Sequence, residues 1–222
     1  MAVPVITRAL GFWSAAGCAV LGLLYVGLQL CEWLGVLGSA GGPRSASTAS
    51  GLVLILTPSL LLGSAFIATM AALHEAAPAS RKALTLAALA FAIAYATLTG
   101  MVYFVQLTLV VPRMAAHDTG DIGLLLFVPY RSFLFAVDLL GYSFMSLATL
   151  FGAFGLPAAR FARPARLAMI ANGALLPFLA LQMYVPALIW PAAAWAVTFP
   201  AAMVLLARLF RALPSGLNGE RP

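Results

Sequence analysis

The chain is short of charge. Of its 222 residues, 8% are Asp, Glu, Lys or Arg and 64% are apolar, against roughly 25% and 45–50% in soluble globular domains. A polar surface cannot be assembled from so little, which excludes an ordinary soluble domain. Cysteine is scarce as well: Cys18 and Cys31 are the two present. Both fall in one apolar run, where the intervening helix holds them ~20 Å apart, beyond disulfide reach. Histidine is limited to His74 and His117. His74 opens the string HEAAP, in which Pro78 stands where a zinc-binding helix would need a second histidine. The two histidines fall on opposite sides of the membrane in the topology derived below, so they cannot share a haem. There is no Gly-rich phosphate loop. Gly141-Tyr142-Ser143 offers nothing beyond a remote serine nucleophile with His74. No cofactor and no metal site is expected.

What remains is long, Ala- and Leu-rich apolar runs. They do not alternate with polar residues, so a transmembrane β-barrel is excluded. The reading is an all-α, polytopic transmembrane bundle in one domain, residues 1–222, with spans near 10–36, 52–74, 83–111, 123–153, 167–187 and 190–212. Each can cross a hydrocarbon core of ~30 Å. The first run is too long for the apolar region of a signal peptide, so a retained first helix is expected. Loops 38–51 and 111–121 are polar, and the last hairpin is tight between Pro186 and Pro191. On one side fall Arg8, Arg81, Lys82, Arg160, Arg163, Arg166, Arg208, Arg211 and Arg221; on the other, Arg44 and Arg113. Positive residues stay cytoplasmic, so both termini are expected inside. The net charge of +6 therefore orients a membrane protein and does not point to nucleic acid.

Small residues recur every four positions on two helices, at Ala88, Ala92, Ala96 and Gly100, and at Ser14, Cys18 and Gly22. Such ridges let helix backbones approach in lipid. They predict packing within the bundle, with self-association or a membrane partner as the other use. The three glutamines, Gln29, Gln106 and Gln182, are 77 and 76 residues apart. Each follows an aromatic residue, Tyr25, Tyr103 or Phe178, in an odd-numbered span. That spacing suggests three helical hairpins from one ancestor, with three amides sharing a cavity.

Ionisable residues in lipid tend to face the protein interior or a water-filled cavity. Glu32 near the outer end of the first span and Arg131 in the outer third of the fourth are read as a pair. Asp138, seven residues on from Arg131 and on the same helix face, is left near the membrane middle. It is read as an ionisable switch that holds or releases a proton. Tyr103, Tyr142 and the three glutamines complete the candidate site.

Tyr103-Phe104-Val105-Gln106-Leu107, ahead of Pro112, and Asp138-Leu139-Leu140-Gly141-Tyr142 resemble stretches of uncharacterised bacterial multi-pass membrane proteins. The resemblance covers less than a quarter of the chain. It implies a bacterial source, draws attention to Gln106, Asp138 and Tyr142, and implies no activity. The sequence thus supports a protein of the bacterial cytoplasmic membrane that binds or moves a small solute, ion or proton through an outward-facing polar pocket. Its expected partners are the lipid bilayer and that solute. Two other classes fit the residues: a non-catalytic membrane subunit, and a lipid-modifying enzyme using Glu32 or Asp138 as general acid.

Overall fold

A computed structural model describes residues 3–216. The architecture is all-α, a polytopic bundle. Helix α1 spans Val5–Trp33 and α2 spans Ala49–Ala76. A 3-10 turn, Ala79–Arg81, leads into α3, Lys82–Val105. A π-helical turn, Gln106–Val110, and α4, Val111–Ala115, continue the same rod. Then come α5 (Phe133–Gly155), α6 (Ala162–Gly173), α7 (Leu176–Ala180), α8 (Ile189–Ala192) and α9 (Trp195–Ala212). Two-residue strands β1 (Val3–Pro4) and β2 (Ser215–Gly216) pair in parallel, so both ends of the described chain meet. Arg221 lies outside the described residues.

Five segments are long and apolar enough to cross a membrane: Val5–Trp33, Ala49–Ala76, Ala79–Ala115, Phe133–Gly155 and Pro186–Ala212. The protein thus has the build of a multi-pass integral membrane protein. Helix α1 shows how one helix serves two media. Gly11, Ala15, Cys18 and Gly22 are buried along one stripe, while Ile6, Trp13, Val20 and Leu24 stand exposed. The buried stripe meets α2 and α9: the Thr69 hydroxyl lies 3.0 Å from that of Ser14, and a Cβ at Gly22 would sit 3.4 Å from the Phe199 ring. On α3, Ala88 and Ala92 are fully buried, and Ala96 fills the space opposite Gly63.

Three sequence expectations need correction. The predicted fifth span, 167–187, is not one continuous helix. It breaks after Gly173, where an added Cβ would fall 2.7 Å from the Leu150 Cβ, and restarts at α7, where Pro177 occupies a first-turn position that needs no amide hydrogen. The broken segment still returns the chain across the bundle. The end of α5 joins the start of α3, where Arg81 Nη1 donates to the Leu156 carbonyl at 3.2 Å. The end of α9 joins the start of α1, where Arg8 Nη1 donates to the Leu213 carbonyl at 3.4 Å. Next, the tight turn between Pro186 and Pro191 is instead helical, a 3-10 turn, Pro186–Leu188, running into α8. Finally, the fourth helix begins at Phe133, ten residues later than expected from 123. Residues 116–132 are irregular, with Tyr130 at φ 63°, and Ser132 caps α5 by accepting from the Phe135 amide at 3.2 Å. Arg131 therefore lies outside any helix and is exposed, not on a shared face with Asp138.

The π turn has a local cause. Pro112 cannot donate within a helix, and the backbone widens just before it, the Val111 amide reaching back to the Gln106 carbonyl. The three hairpins each pack their own two arms, α1 on α2, α3 on α5 and α6 on α9. They differ in kind, one being continuous, one widened by the π turn and one broken.

Candidate functional site

The bundle has two unlike ends. Arg8, Arg81, Lys82 and Arg166 gather at one. At the other, the connections 34–48 and 116–132 surround a cavity of about 290 Å³. Helix α1 contributes Tyr25, Gln29, Glu32 and Trp33, spaced to share one face. From α5 come Phe135, Asp138 and Tyr142, one helical turn apart. Tyr103, Gln182 and Trp195 complete the functional lining.

Glu32 and Asp138 are 2% and 7% exposed. Neither oxygen of Glu32 has a hydrogen-bond partner in the protein, nor has Oδ1 of Asp138. Buried polar atoms are normally paired, and leaving one alone costs about 1–3 kcal/mol. The two carboxylates differ in setting. Glu32 Oε2 lies against the first turn of α2, 3.0 Å from where a Cβ on Gly51 would sit. Thr48 caps that helix by accepting from the Gly51 amide at 3.1 Å. The positive end of a helix dipole favours a carboxylate there. Asp138 is the sixth residue of α5, in its second turn. Its neighbours are phenols, and Tyr103 donates to Tyr142 at 3.2 Å.

The rings below the cavity form a closed circuit. Trp195 stacks on Phe199 at 5.0 Å, Phe199 meets Phe66 at 5.7 Å, and Phe66 meets Tyr95 at 5.8 Å. Tyr95 then meets Tyr142 at 5.7 Å, and Tyr142 returns to Trp195 at 5.5 Å. Phe66, Tyr95 and Phe199 are fully buried, so this circuit closes the cavity toward the basic end.

Six of the residues singled out from the sequence line this one cavity: Asp138, Glu32, Gln29, Gln182, Tyr103 and Tyr142. Two do not. Gln106 is buried, and its Nε2 donates to the Leu125 carbonyl at 2.6 Å, tying the irregular segment 116–132 to the bundle. The three glutamines therefore do not share a cavity. Arg131 lines a separate hollow with Arg44, Tyr130 and Pro186. The expected Glu32–Arg131 pair does not form; among the described residues the ion pairs are Lys82–Glu75, Arg113–Asp118 and Arg113–Asp121. Gln182 Nε2 donates to the Tyr130 phenol at 3.2 Å. Burial pushes that phenol above its ordinary value, while the Gln182 bond and the Arg44 charge pull it back.

Sequence reasoning missed Trp195 and gave Tyr25 no role beyond preceding Gln29. Neither stands out, because an aromatic residue in an apolar run is most often packing. It also missed Asn172, fully buried, whose amide donates to Thr149 at 3.1 Å and accepts from Thr198 at 3.1 Å. That side chain clamps α5, α6 and α9 where the fifth segment breaks, and an asparagine inside an apolar run was its available signal.

The chain matches no protein-family model, no curated protein and no solved structure.

Proposed function

We propose that this is a protein of the bacterial cytoplasmic membrane that captures a small solute, ion or proton in the cavity at its non-basic end. Both termini lie in the cytoplasm and the cavity opens outward. One observation carries the reading: two buried carboxylates with unpartnered oxygens line a cavity that has no Lys, Arg or His in its wall. A packing device would satisfy its buried polar atoms internally. Groups left open toward a cavity are arranged for something that enters it.

The aromatic circuit beneath the cavity makes capture the first event. Movement across the membrane then requires Tyr142, Trp195 or Phe199 to swing away, the step that distinguishes a transporter from a receptor. Asp138, in the second turn of α5, is the group whose charge changes when a cation or proton arrives. Orientation follows from the bias of Lys and Arg toward one end, and reporter fusions at positions 45 and 116 should read as external.

The binding test uses the full chain in detergent against small cations, neutral molecules and anions, followed by uptake into proteoliposomes. We expect saturable thermal stabilisation by at least one class, abolished when Ala193→Phe fills the cavity. Silence across the whole panel, with no uptake, would remove the proposal.

A further inference from the structure

We infer that the solute is a small organic ammonium ion, held by Asp138 and enclosed by Tyr25, Trp195 and Tyr142. This inference rests on the solute-binding reading above and names its ligand class.

The charge of the wall comes first. Glu32 and Asp138 are its ionisable carboxyls, and no cationic side chain opposes them. An anion would be repelled, and a neutral guest would leave the buried Asp138 charge uncompensated. Glu32 already sits at the positive end of α2. Asp138 lies deeper, in the second turn of α5, and its Oδ1 has no partner in the protein. The charge that Asp138 lacks is a single positive one.

The shape of the wall comes second. Tyr25 meets Trp195 at 5.6 Å with ring planes 89° apart, and Tyr142 meets Trp195 at 5.5 Å with planes 87° apart. These three aromatic side chains line the same cavity as Asp138, and aromatic rings attract an alkylated ammonium group that reaches their faces. An inorganic ion is a poor fit. Calcium needs six to eight oxygen ligands and magnesium a near-ideal octahedron. Among the described residues no three His, Cys, Asp or Glu side chains converge. The rest of the wall is apolar, with Leu52, Ile55, Leu139 and Leu179, and suits a carbon body. At about 290 Å³, the space sits near the lower limit of small-molecule pockets, ~300 Å³, so the body is small, of the order of one ring plus its ammonium.

Three probes of nearly equal size and different charge test this: trimethylphenylammonium, neutral N,N-dimethylaniline and benzenesulfonate. Each is titrated against the full chain in detergent, with thermal stabilisation as the readout. We expect trimethylphenylammonium to act at concentrations at least about tenfold below the other two. Asp138→Asn should weaken it by about tenfold to a hundredfold, with recovery in Asp138→Glu. Trp195→Leu should weaken it by about threefold to thirtyfold. If Asp138→Asn does not fold, the ranking of the three probes on the native protein still decides. Equal binding of all three, or a preference for the neutral or anionic probe, abolished by Ala193→Phe, would overturn the ammonium assignment and leave the solute-binding reading standing. No stabilisation by trimethylphenylammonium also overturns it. If the wider panel of solutes is silent as well, the two fall together.

Discussion

The two ends of the bundle handle polarity in opposite ways. At the basic end, cations meet the open carbonyls that every helix leaves at its C-terminus. Lys82 Nζ donates to the carbonyls of His74 at 2.6 Å and Glu75 at 3.2 Å, closing α2. Arg81 reaches Leu156 and Arg166 reaches the Ala153 carbonyl at 3.1 Å, closing α5. Arg8 reaches Leu213, closing α9. His74 is satisfied too, its Nδ1 lying 3.0 Å from the Thr85 hydroxyl. The charges that orient the chain by their distribution are the same ones that finish its helices. At the cavity end the accounting stays open: Glu32, Asp138 and Gln182 line the cavity and carry oxygens without partners in the protein. One end is assembled for closure and the other retains free polar groups where a guest can reach them.

If that contrast is real, packing errors at the closed end should cost most. A Cβ on Gly155 would clash with the Thr85 Cγ2 methyl. Thr85 cannot turn away freely, because its hydroxyl also donates to the Lys82 carbonyl at 3.1 Å. Gly155→Ala should therefore lose about 2–3 kcal/mol by overpacking, measured by unfolding in rising mole fractions of SDS. A loss below about 0.5 kcal/mol would mean that this end is looser than its hydrogen bonds imply.

The open end predicts a change of the opposite sign. Asp138→Leu removes a buried carboxylate with an unpartnered oxygen and fills its place with hydrocarbon. It should raise stability by about 1–3 kcal/mol in the same assay while abolishing ammonium binding. Sites kept ready for ligands carry this trade between stability and activity. Destabilisation by Asp138→Leu would show that the carboxylate is fixed by its neighbours, and the contrast between the ends would collapse.

How far these ends can be read from sequence depends on which residues are rare. The carboxylates, glutamines and arginines are legible because each interrupts an apolar run at a known cost. Helices α1, α2 and α3 are legible because their runs are unbroken. Residues 122–128 misled the reading because apolar residues can be buried by protein instead of lipid. Leu125 and Phe127 pack against the cluster of Leu52, Tyr103 and Leu134. Their irregular backbone is served by Gln106, which takes the Leu125 carbonyl, and by Ser132, which accepts from the Val128 amide at 3.2 Å. Non-helical backbone is tolerated where protein satisfies its polar groups, and hydropathy has no means of marking that. Trp195 was illegible for a related reason: it meets Tyr25 and Tyr142 at one cavity, and the three come from three different helices.

A smaller effect tests the helix-closing cations. Lys82→Met keeps most of the aliphatic stem and deletes the ammonium that serves two carbonyls. The side chain is 37% exposed, so water replaces part of what is lost, and the expected cost is about 0.5–1 kcal/mol. Glu75, 3.8 Å from Lys82 Nζ, contributes little as a surface partner. Glu75→Gln should therefore change stability far less than Lys82→Met does, and equal losses would assign the effect to the ion pair instead of the carbonyls.

The smallest effect belongs to the clasp between Gln182 and Tyr130, which ties the irregular segment to the chain after α7. Polar contacts between segments of membrane proteins average ~0.6 kcal/mol, and Gln182→Leu should cost about that. Its pH dependence is more informative than its size. The Tyr130 phenol is pushed above its ordinary value of 10.0, chiefly by burial. A phenol raised in the folded state keeps its proton after the unfolded chain has lost its own. Its contribution is therefore complete below that ordinary value and declines as pH climbs through it toward the folded-state value. Stability followed from about pH 9 to 11 should fall less steeply in Tyr130→Phe than in the native chain. Identical slopes would mean that water reaches the phenol freely, and that the Gln182 clasp does not hold it buried.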